Sequence, residues 1–291
     1  MKLPKQIFGI NTEEALRKYL EEARREPPKR EETTPPSQIT LPSLTAPQEY
    51  LHLPPVTHGK HEYGDVYVHL HRLGATSEVT QVCKQHNYTI ETTVAENNGH
   101  TYVGGLNHSQ AMTLVKELKY APLNLRRGVD FLKELRDGAS GRKIVHDAAG
   151  NVITPKTLIE VYKEITEVRR PWRAEWFSDR CNTQKKTMRV TYDVVNAQGA
   201  LEEVTEDLDP YLTRDKAPGI DLDDWLDRAT AQGLPPEDVQ RGSLHYWCPR
   251  ADRVGGFGAD ADRLGLSCDG DPRGSYAAVG VRLSAAGAQK I

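Results

Sequence analysis

The segment "DRVGGFGADADRLGLSCDGDPRGSYAAVGVR" (residues 252–282) differs in composition from the rest of the chain and decides the fold class. Glu, Lys, Gln, Met and Trp together make up about one residue in five of the whole sequence, yet none of them occurs from Cys248 to Ala288. At that rate roughly eight would be expected, and chance absence is on the order of one in a few thousand. The segment has therefore been selected or generated differently from its surroundings.

The five missing residue types share a property of the genetic code, because none of them has a codon that ends in a pyrimidine. The segment is therefore compatible with wholesale replacement of Asn codons at their first two bases. Such replacement yields many residue types, but it never yields a stop codon and never yields these five.

The same segment also carries the alternation of a half-buried strand. In "FGADA" (257–261) the apolar residues alternate with Gly258 and Asp260, and "LGLSC" (264–268) repeats the pattern with Gly265 between its leucines. One face is uniformly apolar. The other face carries residues with no common chemistry, as expected where only exposure is constrained.

The whole chain has the composition of a globular protein: 291 residues, 37% hydrophobic and 27% charged. Its net charge of −3 gives no reason to expect nucleic acid or an anionic membrane as partner. No apolar run approaches the roughly 20 residues of a membrane span. The N-terminus lacks the apolar core of a signal peptide, so the expected location is cytoplasmic by default, with surface display requiring another route.

Residues 1–60 are predicted to contain a helix and a proline-rich linker or strap. The helix covers 11–25, with Asn11 or Thr12 as its N-cap. Prolines recur across 27–55, and each lacks a backbone donor and favours an extended predecessor.

The remaining chain is predicted to divide into short strands at 61–104, which extend or begin the main domain, and the main domain itself at 105–291. Regular elements follow from apolar periodicity and capping residues. We predict strands at 65–73, 88–94 and 187–195, helices at 107–120, 125–138, 154–168 and 220–230, and a hairpin at 143–153.

Particular residues mark the ends and turns of these elements. Gly138 is the predicted C-cap of the second helix, Thr154 and Asp221 are predicted N-caps, and Gly150 and Gly199 are predicted turn residues. After Asp221 and its helix, the rest of the chain is predicted to be strand and loop.

Several clusters suggest metal chemistry but have simpler interpretations. His58, His61, His69 and His71 lie close together in sequence, although exposed strand histidines are commoner than metal ligands. Asp260, Asp262, Asp269 and Asp271 form D-x-D pairs that suit calcium, but the EF-hand pattern is missing and such aspartates usually cap turns. No metal and no cofactor is therefore expected.

The four cysteines have two interpretations. Cys83, Cys181, Cys248 and Cys268 have no C-x-x-C spacing, so buried reduced thiols are favoured, with a Cys248–Cys268 disulfide as the alternative.

A basic and aromatic run is typical of a surface that binds single-stranded nucleic acid. Acidic residues within the run reduce its positive charge, however, so tryptophans turned into the core are favoured. The run consists of Arg169, Arg170, Trp172, Arg173, Trp176, Phe177, Arg180, Lys185, Lys186 and Arg189.

No catalytic constellation is present in the sequence. "VGGFG" (254–258) is glycine-rich, but no Lys-Ser/Thr follows it and it opens no helix, so a phosphate loop is not expected. No Gly-x-Ser-x-Gly or His-Glu-x-x-His pattern occurs either. The sequence therefore predicts no enzyme activity.

The chain resembles the variable proteins of diversity-generating retroelements, and within them the archaeal, AvpA-type members. The resemblance rests on "PWRAEWFSDRC" (171–181), "QGLPPEDVQRGSLHYWCPR" (232–250), the frame V-x-x-F-x-A-x-A-x-x-L-x-L-x-C-x-x-x-P (254–272) and "VGVR" (279–282). It covers roughly residues 105–291. Nothing in residues 1–60 contributes to it.

The resemblance implies an α+β domain with the C-type-lectin fold of the formylglycine-generating-enzyme subtype, preceded by the N-terminal helix and proline-rich extension. It further implies that reverse transcription miscopies template adenines and rewrites Asn codons across a variable region at about 252–282. The protein would then be one member of a ligand-binding repertoire, with an unidentified protein or cell-surface ligand as partner, no nucleic acid and no membrane insertion.

By position and alternation, the resemblance assigns two sets of residues. The ligand-facing, diversified candidates are Gly258, Asp260, Asp262, Arg263, Gly265, Ser267, Asp269, Gly270, Asp271, Arg273, Ser275 and Tyr276. The invariant scaffold beneath them consists of Phe257, Ala259, Ala261, Leu266, Cys268, Val279 and Val281.

Three alternatives compete with this interpretation. A formylglycine-generating oxidase would share the fold, but it needs a close pair of reactive cysteines near the C-terminus, and fold alone does not confer activity. A calcium-dependent carbohydrate-binding lectin would need Glu-Pro-Asn, Gln-Pro-Asp or Trp-Asn-Asp signatures, which are absent. A structural or host-attachment protein of a virus or mobile element differs from our interpretation mainly in context.

Overall fold

The structure, a computed structural model, describes residues 6–7, 10–11, 44, 46–94 and 100–287. The chain divides into two compact units, residues 1–36 and residues 37–291. In the first unit, strands β1 (Gln6–Ile7) and β2 (Ile10–Asn11) pair in antiparallel fashion. Beyond Asn11, the helix predicted at 11–25 lies outside the described residues.

The first half of the second unit alternates short strands with helices. Its elements are β3 (Tyr50–Leu53), β4 (Val56–His58), β5 (His61–Tyr63), β6 (Val66–His69), α1 (Ser77–Gln85), β7 (Glu91–Val94), β8 (Thr101–Gly104), α2 (His108–Glu117), β9 (Ala121–Pro122), α3 (Leu125–Ala139) and α4 (Pro155–Thr166).

The second half of this unit is dominated by strands. Its elements are β10 (Arg173–Gln184), β11 (Thr187–Val195), β12 (Leu201–Asp207), β13 (Lys216–Ile220), α5 (Leu222–Arg228), β14 (Leu244–Trp247), β15 (Arg253–Ala259), β16 (Leu264–Gly270), β17 (Val279–Gly280) and β18 (Leu283–Ala286). The five helices and the several sheets of the described residues confirm the α+β class.

The main sheet places the composition-biased segment at its centre. Its strand order is β12-β11-β10-β15-β16-β14-β13, and β17 pairs with β10 outside this path. β15 is antiparallel to both β10 and β16, whereas β14 runs parallel to β16. Because β15 and β16 are flanked on both sides, their register is fixed by neighbours from the rest of the chain.

A second sheet joins the end of the chain to its early strands. Its order is β3-β6-β18-β9, with all pairs antiparallel. β3 and β4 lie within the stretch that was predicted to be a proline-rich strap. Leu51 and Leu53 of β3 are buried, and this apolar burial explains why the stretch joins the sheet.

Two helices begin at the N-caps that the sequence predicted. Thr154 accepts a hydrogen bond from the backbone of Thr157 and precedes Pro155 in the first turn of α4. Asp221 likewise caps α5 by accepting from Asp224. The hairpin around Gly150 is confirmed by the bridge between His146 and Val152.

Gly138 is not the C-cap that was predicted, because α3 continues to Ala139. A Cβ atom on Gly138 would lie 2.5 Å from Leu158 Cδ1 and 2.7 Å from Val145 Cγ2. The glycine is thus required for close packing of α4 against α3, and the prediction mistook a packing glycine for a helix stop.

The largest apolar cluster lies between the main sheet and helices α3, α4 and α5. Trp225, Tyr246 and Leu266 are completely buried in it. The Trp225 indole donates a hydrogen bond to the Gly233 carbonyl at 2.8 Å. Among the described residues, no helix has the length and apolar character needed to span a membrane.

Candidate functional site

An open groove of about 410 Å³ lies over β10, β14, β15 and β16. Eight of the twelve residues predicted to face a ligand line it: Gly258, Asp260, Arg263, Gly265, Ser267, Gly270, Asp271 and Tyr276. Asp262, Asp269, Arg273 and Ser275 are not among the lining residues. Its volume falls within the range of small-ligand and peptide-anchor sites.

Aromatic rings form the walls of this groove. The ring centroids of Trp172 and Tyr276 are 5.6 Å apart, and those of Trp176 and Tyr276 are 6.5 Å apart. Trp172 and Tyr276 are 40% and 41% exposed, which is unusual for such large side chains. Trp247 lines the groove as well. The groove thus offers ring faces to a ligand, which are typical anchors of binding surfaces.

Trp172 and Trp176 were predicted to turn into the core, so their place in the groove was not predicted, and Trp247 was given no role. Trp172, Ala174 and Trp176 recur at every second residue, and this spacing places them on one face of β10 and the residue before it. This alternation is the signal from which their shared face could have been predicted. Trp176 and Phe177 are indeed buried, but Trp176 still lines the groove.

Glycines keep the ring faces uncovered. A Cβ atom on Gly265 would lie 2.8 Å from Cζ3 of Trp247, and one on Gly270 would lie 3.0 Å from Cζ3 of Trp176. Gly256 and Gly258 also line the groove. A larger side chain at Gly265 or Gly270 would therefore cover or displace an indole ring, so the size of the residue at each of these positions sets the shape of the groove.

The polar groups on this surface are mostly paired with one another. The Arg273 guanidinium and backbone N–H both donate to Asp271, and they hold the pKa of that carboxyl below its ordinary value. Ser267 donates to Asp269 at 2.9 Å. The Arg263 guanidinium lies 5.8 Å from the centroid of the Trp247 ring, a cation–π contact.

The inner face beneath the groove is buried, with one exception among the predicted scaffold residues. Buried members are Phe257, Ala259, Leu266, Cys268, Val279 and Val281. Burial raises the pKa of the Cys268 thiol well above its ordinary value. Ala261 is exposed, because β15 ends at Ala259 and the chain turns, with the Asp260 N–H donating to the Arg263 carbonyl at 2.8 Å. Its assignment to the inner face was wrong.

The other sequence candidates do not converge on a second site. His58 and His61 each contact a carboxylate, at 3.1 Å from Asp130 and 2.5 Å from Glu206. His71 stacks on His100. Over the stretches that the structure describes, no three His, Cys, Asp or Glu side chains are placed to share a metal ion.

The basic run is divided between the interior and the surface. Arg173 is buried and donates to the carbonyls of Arg169 and Pro171, whereas Arg180 pairs with Glu203 at the exposed side of the sheet.

All four cysteines are free thiols, and Cys83, Cys181 and Cys268 are buried. The structure therefore has reduced thiols instead of the Cys248–Cys268 disulfide.

Gly258 is the predicted variable position at which substitution should cost most. A Cβ atom there would lie 2.4 Å from Ala174 Cβ and 2.6 Å from the Arg173 carbonyl oxygen, so the backbone must shift. We expect Gly258→Ala to lower the free energy of unfolding by about 1–3 kcal/mol in urea denaturation.

Gly255 provides a matched control for Gly258 on the same strand. Its added Cβ would meet its nearest atom, Asp179 Cβ, at 3.4 Å. Gly255→Ala is therefore expected to be neutral or stabilising by up to about 1 kcal/mol, through the unfolded chain. Equal losses at both glycines would contradict this account of Gly258.

Comparison of the chain with family models, with curated proteins and with solved structures gives no match in any of the three. The groove and the segment that lines it are therefore the basis for assigning a function.

Proposed function

We propose that this chain is a ligand-binding protein of a diversity-generating retroelement, not an enzyme, with its C-terminal surface rewritten by adenine-directed mutagenesis. The observation that carries the proposal is a coincidence of two independent features. The segment that lacks all five residue types without pyrimidine-ending codons also supplies eleven of the sixteen residues that line the groove: Gly256, Phe257, Gly258, Asp260, Arg263, Gly265, Ser267, Gly270, Asp271, Tyr276 and Val279.

The burial pattern supports a surface that tolerates rewriting. Phe257 and Leu266 pair directly across β15 and β16 and are buried, while Gly258 and Gly265 pair beside them and line the groove. A packed inner face anchors the strands, and substitutions on an exposed face usually change stability by no more than about 0.5 kcal/mol. Side chains on that face, except at the closely packed Gly258, can therefore change without loss of the fold.

The source of the tryptophans also supports the proposal. Trp172, Trp176 and Trp247 all lie outside residues 252–282. Codons that end in a pyrimidine cannot encode tryptophan, so a rewritten segment cannot supply these rings itself. The constant part of the chain would supply the tryptophans of the groove wall, and the rewritten segment would determine what fits against them.

At the finer level of fold, we propose the C-type-lectin fold of the formylglycine-generating-enzyme subtype. The α+β architecture, with the biased segment on central strands of the main sheet, is consistent with it. The oxidase alternative is disfavoured by thiol chemistry, because burial raises the pKa of both Cys268 and Cys248, the latter to about 11. A nucleophilic or redox-active cysteine needs a readily formed thiolate.

The nucleotide sequence downstream of the gene tests the proposal. We expect a near-copy of the stretch that encodes residues 252–282, with adenines wherever the gene differs from it, and a reverse transcriptase gene nearby. The absence of both the near-copy and the reverse transcriptase gene would overturn the proposal.

A further inference from the structure

The groove carries more negative than positive charge. Its charged lining residues are Glu175, Asp260, Asp271 and Arg263, three carboxylates against one guanidinium. Glu175 is paired with Arg282, and Asp271 is paired with Arg273. Asp260 differs, because its carboxylate accepts the Ala261 N–H at 2.6 Å but makes no ion pair with any residue in the described part of the chain.

The groove already contains one cation on an aromatic face. The guanidinium of Arg263 lies over Trp247, and its Nε is 3.8 Å from a carboxylate oxygen of Asp262. A ring face combined with a nearby carboxylate therefore holds a guanidinium within this surface. A cationic group of an external ligand would bind to another ring of the groove through the same interactions.

The end of the groove over β10 has an aromatic cluster without an internal cation. Trp172, Trp176 and Tyr276 form the aromatic cluster there, and no described guanidinium lies over these rings. Arg173, which follows Trp172, pairs with Ala259, which precedes Asp260, at the end of the β10–β15 ladder, and Trp172 and Asp260 both line the groove. The Asp260 carboxylate, on the turn between β15 and β16, therefore shares the groove with this aromatic cluster.

We propose that this end of the groove binds a cationic side chain, the guanidinium of arginine or the ammonium of lysine, presented by a protein partner. The inference deepens the proposed function and rests on it, since it names the ligand chemistry of the same groove. Rings attract the cation through their electron-rich faces, and Asp260 supplies the opposite charge. An anionic ligand would meet the Asp260 carboxylate, which has no ion pair among the described residues, and an apolar ligand would leave that carboxylate without an opposite charge.

Acetyl-arginine-amide is the probe, and acetyl-citrulline-amide is its neutral counterpart of nearly the same shape. Three of the four tryptophans line the groove, so intrinsic fluorescence reports binding directly. We expect a saturable fluorescence change with the arginine probe and binding that is weaker by about tenfold or more with citrulline. Added salt should weaken the arginine probe and leave the citrulline probe nearly unchanged.

Asp260→Asn should weaken the arginine probe by about five- to tenfold. Asp209→Asn is the control, because Asp209 is also an exposed carboxylate and does not line the groove. We expect that variant to change binding by less than about twofold. If Asp260→Asn does not fold, the salt dependence of the unaltered protein remains as the test.

Equal binding of both probes, absence of binding by either, or preference for a neutral sugar such as methyl glucoside would each overturn the inference. These outcomes are independent of the genomic test. A missing template copy would overturn the retroelement function and leave arginine binding intact, whereas a failed arginine titration would leave the retroelement function standing.

Discussion

Replacing Leu266 with alanine is expected to lower the free energy of unfolding by about 2–5 kcal/mol. Leu266 is completely buried and pairs with Phe257 on β15 and with Tyr246 on β14. Removing its side chain leaves a cavity at the centre of the main sheet, where neighbours on two strands cannot easily collapse into it. Urea denaturation followed by circular dichroism measures the loss.

The adjacent Ser267 provides the contrast, because it lines the groove. Ser267→Ala removes only a hydrogen bond to Asp269 on the partly exposed face, so the expected change stays within about 0.5 kcal/mol. If Leu266→Ala does not fold, Leu266→Val should show a smaller loss of the same sign. Comparable losses at both positions would contradict the division into a fixed inner face and a tolerant outer one.

Replacing Arg282 with methionine is the second substitution with a large expected effect, a loss of about 3–5 kcal/mol. Arg282 is 2% exposed, donates twice to Glu175 and once to the His69 carbonyl, and lies 4.9 Å from the Phe131 ring centroid. Methionine fills similar space but leaves the largely buried Glu175 carboxylate without its main partner. The same change removes the hydrogen bond from Arg282, at the end of the biased segment, to the His69 carbonyl on β6.

Two further variants separate charge pairing from packing. Arg273→Met is the same substitution at a side chain that is 87% exposed and pairs with Asp271, so it should leave the free energy of unfolding nearly unchanged. Adding Glu175→Gln to Arg282→Met should recover part of the loss, since no unpaired carboxylate remains. Purely additive losses in this double-mutant cycle would contradict the pairing argument.

Local signals in the sequence predicted a large part of the fold. The N-caps Thr154 and Asp221 located two helices to within a few residues, and alternation located β11 at 187–195 as observed. These features succeed because capping and apolar periodicity act over one or two turns or strands. The alternation around Phe257 and Leu266 likewise predicted which side chains are buried.

Features that depend on distant parts of the chain were not predictable in this way. The strand pairing of β18 with β6 joins residues more than 200 positions apart, and Gly138 is required by the approach of α4. The role of Trp172 in the groove depends on Tyr276, which the chain brings beside it only after folding. The prediction that Ala261 is buried was wrong because β15 ends at Ala259 and a turn follows.

Sequencing the 3′ part of this gene from many individuals of the source population tests the central claim most directly. We expect replacement substitutions to concentrate in the first two bases of codons for exposed positions between Gly258 and Tyr276, with a pyrimidine kept at the third base. Codons for the buried Phe257, Ala259, Leu266 and Cys268 should stay constant. Substitutions spread evenly over buried and exposed codons, or absent from the segment altogether, would contradict the account.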